Sequence, residues 1–262
     1  CLGLPAGLPL MAAGAEKACE VLGCGLRPGR EGALSLGTSA TINTVQPRYL
    51  EVQSRLPAYP AAMPGAFNTE IQIHRGFWMV SWFKREFAQR EQVLAAERGV
   101  AVESLFDELL REVPAGSHGL TLQPYWSPGV REPGPEAKGA IIGFGDVHSR
   151  AHLYRAIIEE QTSGLRAGKQ TIERRLRAPL TRIVASGGGS LSDAAMQILA
   201  DVLAMPVERP HTAETSALGA AINAAVGCGL YANHAAAITA MCRCARRFEP
   251  DPAAVALYDV LY

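Results

Sequence analysis

No run of eighteen apolar residues occurs in the chain, so no segment has the length of a membrane-spanning helix. Charge of one sign is also missing. The 25 Lys and Arg balance 25 Asp and Glu, which excludes a dedicated nucleic-acid binder built on a basic surface. The first ten residues, CLGLPAGLPL, lack the basic start of a secretory leader, and the expected location is the cytoplasm. Cysteine is sparse, with six in 262 residues at positions 1, 19, 24, 228, 242 and 244, too scattered for a disulfide framework. One residue separates Cys242 from Cys244, less than the usual zinc spacing. All six read as small buried thiols in a reducing compartment. No internal repeat, low-complexity tract or charge block appears. The chain opens on Cys1 instead of Met and reads as a piece of a longer protein.

What is present is ordinary globular material. The length suffices for a core that needs no disulfide or metal. Residues 12–26 predict a short helix stopped by Gly23 and Gly25. Residues 32–46 carry two β-prone runs broken by Gly37-Thr38-Ser39, a strand, a tight turn and a return strand. Four prolines make 47–66 an extended loop. Residues 69–75 alternate as a strand, and 77–97 and 102–113 predict helices, with Trp78, Trp82 and Phe83 mostly in the core. Residues 128–138 form an exposed loop. A short strand at 139–144, a long helix at 148–176 and a strand at 182–186 follow. Next come a helix at 193–204, a strand ending at Pro210 and a helix at 215–225 closed near Gly227 and Gly229. Helices alternating with short strands indicate an α/β class with a mixed sheet.

Two glycine bends and one carboxylate have chemical readings. Glycine at Gly37 lets backbone amides converge, and Thr38 and Ser39 add hydroxyls suited to an anion. Gly187, Gly188 and Gly189 lie between a strand and a helix start, where amides and the helix dipole favour negative charge. The triplet also lets a flat ring lie on bare backbone. Neither bend is a Walker A loop or a GxGxxG element, and taken in isolation each reads first as an unliganded turn. Glu16 stands at a helix start among Gly14 and alanines. It reads either as a dipole-stabilised cap or as a general base with room for a substrate hydroxyl. His148 and His152 are spaced i, i+4, but no Glu follows His148, so they read as no metal site. The Arg174, Arg175 and Arg177 run reads as a solvated helix face.

In order along the chain, six segments resemble the FGGY family of carbohydrate kinases, specifically their C-terminal domain. These are PLMAAGAEKACEVLGCGL, GALSLGTSATINT, PYWSPGVREP, GAIIGFGDVHSRAHLYRAIIE, ASGGGSLSDAAMQILADVLAMPVERP and ETSALGAAINAAVGCGLY. In the fourth, Gly139, Ile141, Gly143, His152, Leu153, Ala156, Ile157, Ile158 and Glu159 match the family signature, while Phe144 replaces an aliphatic residue. The resemblance covers about 1–262. It implies an actin-like, ribonuclease H-like ATPase fold with a mixed β-sheet flanked by helices. It also implies transfer of the γ-phosphoryl group of ATP, with Mg²⁺, to a sugar or polyol.

Carried over by position, the resemblance makes Glu16 the general base. Gly37, Thr38 and Ser39 hold the β- and γ-phosphates, Gly188 and Gly189 lie under the adenosine, and Asp193 stands near the nucleotide. Gly76 is a further nucleotide-pocket candidate, although its spacing to Trp82 is off by one. The family reads Gly-Asp where this chain reads Ala15-Glu16, and the added methylene moves the carboxylate by about 1.3–1.5 Å. The family's first domain, which holds most sugar contacts and much of the Mg²⁺ shell, has no counterpart in these residues. The chain is therefore expected to form the nucleotide side of a cleft, and by itself to bind nucleotide weakly and not turn over. The alternative is a catalytically incompetent nucleotide-binding fragment. The expected partner is a small carbohydrate, with no nucleic acid or membrane. Members often pair, so a homodimer is expected.

Overall fold

Gly37-Thr38-Ser39 turns the chain back on itself, as the two β-prone runs on either side predict. The computed structural model describes residues 3, 5–54, 56–73, 75–127 and 134–262. It begins with α1 (Glu16–Gly23), followed by the hairpin β1 (Glu31–Leu36) and β2 (Ala40–Gln46) and then β3 (Tyr59–Pro60) and β4 (Phe67–Ile73). The helices α2 (Trp78–Phe87), α3 (Gln89–Arg98) and α4 (Phe106–Glu112) lead to the short strands β5 (Thr121–Gln123) and β6 (Ala140–Ile142). Then come α5 (Arg150–Leu176), β7 (Arg182–Ser186), α6 (Asp193–Leu203), β8 (Val207–Pro210) and α7 (Thr215–Gly227). The chain closes with α8 (His234–Met241), β9 (Cys244–Phe248) and α9 (Pro252–Leu261).

Among the described residues, seven strands form the main sheet in the order β3-β4-β2-β1-β7-β8-β9. β1 runs parallel to β7 and β7 to β8, while the other neighbours are antiparallel. Alternation along the strands assigns each face. Leu34, Leu36, Ile42, Ile73, Ile183 and Ala185 join the large core with α2, α4, α5, α6 and α9. Ala33, Val45 and Val184 pack instead with Val21, Cys24 and Leu26, at α1 and just past it. Leu22, Ile222, Ala237 and Ile238 join α1, α7 and α8 in a further layer.

Glycines set how closely these layers approach. A Cβ at Gly168 would come within 2.8 Å of Ile42, so α5 lies directly on the sheet. A Cβ at Gly23 would stand 1.9 Å from the Thr215 carbonyl oxygen, and one at Gly219 would stand 1.9 Å from that of Cys19. Thus α1 and α7 touch backbone to backbone. On the other face, the buried Glu159 ties three elements together. Its Oε1 accepts from Gly116 N at 3.0 Å, Arg155 Nε at 2.7 Å and the Tyr258 hydroxyl at 2.6 Å. Its Oε2 accepts from Ser117 Oγ at 3.0 Å.

Several predicted bounds shift. The first helix begins at Glu16, not 12, because Ala15 is extended with ψ 152° and Gly14 packs against Ala62. The helix expected over 77–97 breaks at Ala88, where φ −109° and ψ 34° leave the helical region. The loop expected over 47–66 contributes edge strand β3, paired with Asn68 and Phe67 of β4. The buried-thiol reading holds for Cys19 and Cys24, while Cys228 and Cys244 are exposed. Residues 128–133, including Arg131, and His74 lie outside the described residues. Among the described residues, no helix is long and apolar enough to cross a membrane.

Candidate active site

Ser35 of β1 is the register partner of Ser186, the last residue of β7. The two strands are adjacent and parallel, so the bends that follow them, Gly37-Thr38-Ser39 and Gly187-Gly188-Gly189, leave the sheet side by side at the carboxyl ends of the strands. Gly187 has φ +86°, and a Cβ there would lie 3.1 Å from the carbonyl of Leu36, the residue just before the first bend. A Cβ on Gly189 would meet Phe77 at 2.5 Å and Leu36 Cβ at 2.9 Å. Glycine is thus what lets the second bend rest on the first strand and on Phe77.

Gly76 supports the hairpin from behind. It is buried, and a Cβ there would stand 2.0 Å from Ala40 N and 2.6 Å from the Ser39 carbonyl carbon. Trp78 N donates to the Thr38 carbonyl at 3.3 Å, which fixes the hairpin tip to the start of α2. The outward surface stays open. Thr38 and Gly188 are exposed, nothing lies within 4 Å of a Cβ at Gly188, and one at Gly37 meets only ordinary contacts from 3.9 Å.

The amino end of α6 differs from the simple picture of a free helix start. Ser192 Oγ accepts from Ala195 N at 3.0 Å, and Asp107 of α4 accepts from Ser192 Oγ and from Ala194 N at 3.4 Å. A carboxylate of the chain already faces that helix dipole. At this bend Gly188 keeps an exposed, open face. Asp193 is half-buried and pairs with Arg209 at 2.8 Å and with Arg246. Both guanidinium groups lie over the Phe248 ring, at 5.0 and 4.7 Å from its centroid. Long-range pairs of this kind leave no mark in local sequence.

Glu16 is the first residue of α1 and is exposed. Among the described residues, no hydrogen bond or ion pair orients its carboxylate. Glu20, one turn further along, has such partners and escaped the sequence reading. Its Oε1 accepts from Ser186 Oγ at 3.1 Å, and Lys17 pairs with Oε2. Cys24 Sγ lies 3.5 Å from the same Ser186 Oγ. Burial pushes the Cys24 thiol up to about 12, against the opposing pull of the Ser186 hydrogen bond, so it stays protonated and unreactive. The i, i+4 spacing from Glu16 to Glu20 is the one sequence signal that places both carboxylates on one helix face.

The remaining histidine pair lies elsewhere. His148 precedes α5, and His152 Nε2 lies 3.1 Å from His118 Nδ1. Among the described residues, no three His, Cys, Asp or Glu side chains gather as a metal cluster.

Comparison with known proteins matches residues 32–228 to the FGGY family of carbohydrate kinases, C-terminal domain. The chain is 31% identical to the uncharacterized sugar kinase YgcE of Escherichia coli (strain K12), over 98% of this chain and 52% of that protein. It is 30% identical to a xylulose kinase of Lactococcus lactis subsp. lactis (strain IL1403), over 97% of this chain and 49% of that protein. The chain spans about half the length of the curated relatives it matches. Among solved structures, a xylulose kinase from Rhodospirillum rubrum superposes with a TM-score of 0.80 at 31% identity, covering 99% of this chain and 51% of that one. A Plasmodium falciparum glycerol kinase with ADP shares the fold at a TM-score of 0.70 and 16% identity, over 90% of this chain and 46% of its own. The mixed sheet, its helical layers and these likenesses identify an actin-like α/β fold. The chain belongs to the FGGY family of carbohydrate kinases.

Proposed function

We propose that the chain forms the nucleotide-side domain of an ATP-dependent carbohydrate kinase, which moves the γ-phosphoryl group to a sugar or polyol hydroxyl. The observation that carries this reading is the meeting of two open glycine bends at the ends of adjacent parallel strands. Phosphoryl transfer asks a protein mainly for positioning and charge stabilisation, and paired bends supply both through fixed amides. Gly37, Thr38 and Ser39 take the β- and γ-phosphates. Gly188 and Gly189 lie under the adenosine, with Gly76 holding the hairpin from behind. Asp193 acts beside the nucleotide through the arginines it holds. Glu16, exposed at the start of α1, accepts the proton of the attacking hydroxyl.

The donor set at the first bend is hydroxyl and backbone only. It fits Mg²⁺ held chiefly by phosphate oxygens, with Thr38 and Ser39 as the protein side of its surroundings. Bound there, Mg²⁺ supplies charge neutralisation on the phosphates.

Calorimetric titration of Mg·ATP into the chain and into Thr38→Arg tests the assignment. The chain binds, and the variant, with a bulky side chain over the first bend, loses at least about tenfold in affinity, a factor worth about 1.4 kcal/mol. Equal affinities would remove the first bend from the site. A second reading, a nucleotide-binding module without catalysis, draws on the unoriented carboxylate of Glu16.

A further inference from the structure

We propose that Glu20 is a positioning residue, which through Ser186 couples the second glycine bend to the helix that carries Glu16. The inference rests on the nucleotide reading above and adds a link between its two halves.

Ser186 is fully buried and is the last strand residue before Gly187. Its hydroxyl donates to Glu20 Oε1 at 3.1 Å, across 166 residues of sequence. Lys17 holds the other oxygen, and the Glu20 side chain is only 12% exposed. One carboxylate is therefore fixed at both oxygens, between the root of the bend and the first turn of α1. On its far side α1 packs backbone to backbone on α7 through Gly23 and Gly219, so the Glu20 tie acts on the amino-terminal turn beyond that seam. The bend itself is seated on Leu36 and Phe77. A displacement at Gly187–Gly189 thus reaches α1 through Ser186 and Glu20, and reaches Glu16 one helical turn later, about 5.4 Å along the axis.

Coupling of this kind is reciprocal. Ligand at the bend steadies the first turn of α1, and loss of the tie weakens ligand binding. A hydrogen bond to an acceptor that is mostly shielded from water is strong enough to carry the effect. Gln at position 20 keeps an acceptor oxygen of nearly the same reach, while Leu removes it and keeps the volume.

The experiment combines calorimetry of Mg·ATP with hydrogen exchange of the α1 amides, on the chain and on Glu20→Leu, Glu20→Gln, Ser186→Ala and the Leu/Ala double variant. In the parent chain, ATP slows exchange in α1. In Glu20→Leu and in Ser186→Ala, ATP affinity falls about fivefold or more and the slowing disappears. The double variant loses no more than either single one, and Glu20→Gln stays within about twofold of the parent. Thermal unfolding separates this from general loosening, which would leave the ATP-dependent slowing in place. Binding that is unchanged in Glu20→Leu, or α1 slowing that survives there, overturns the coupling alone. Absence of ATP binding to the parent chain overturns the nucleotide reading and the coupling together.

Discussion

Glu160 lies next to Glu159, whose carboxylate accepts four hydrogen bonds. Burial, with Glu159 beside it, pushes its own carboxyl up to about 7 from the ordinary 4.5. Between those values the folded chain binds more protons than the unfolded chain, so stability falls as pH rises through that window. Glu160→Gln removes the slope: in urea unfolding it gains stability over the parent at pH 8 and little at pH 5. An equal shift at both pH values would refute the assignment. At the same scale, Glu16 shows what the sequence discloses and what it withholds. Its place at a helix start is legible from the small residues before it and the helix formers after it. Its lack of a fixed partner is not, because that depends on which distant side chains arrive. The same holds for Asp193, whose arginine partners come from β8 and β9.

At the scale of elements, the glycine-flanked strands were readable because turn chemistry and β-branching are local. The hairpin around Gly37, the strand into Gly187 and the long helix into Leu176 all stand where those signals put them. The break at Ala88 was not readable, since Gln89–Arg98 continues with good helix formers and the kink follows from packing of Ala88 into the core. Nor could sequence show that Asp107 fills the start of α6. The α1–α7 seam gives the prediction at this scale. Gly219→Ala places a methyl group against the Cys19 carbonyl, the helices must separate, and overpacking of this kind costs about 1–3 kcal/mol. Urea unfolding measures it, and a loss well under 1 kcal/mol would mean that the seam yields easily.

For the molecule as a whole, the fold class and the order of its main layers followed from motif order. The segment from His234 to Phe248 did not: α8 and β9 form where the sequence reading placed no element. Ala-rich α8 lacks a marked apolar stripe, and β9 is exposed at every residue but Phe248, so both depend on the neighbours they meet. The chain spans about half the length of the curated relatives it matches, and on the proposed reading it supplies only the nucleotide side of a cleft. An ATP-consumption assay over a panel of sugars and polyols is therefore expected to show no sustained turnover by this chain alone, even where calorimetry detects nucleotide. Robust turnover would show that these residues suffice for catalysis.

The anchoring of α9 has a practical corollary. Tyr258 supplies one of the donors that satisfy Glu159, and Arg155 also donates to the Tyr258 hydroxyl at 3.0 Å. A shortened version ending before Pro252 would keep the acid and its arginine while stripping away the phenol that shields them. Trimming that terminal helix therefore uncovers a buried ionic knot, and any expression boundary drawn for this domain should lie beyond Tyr258.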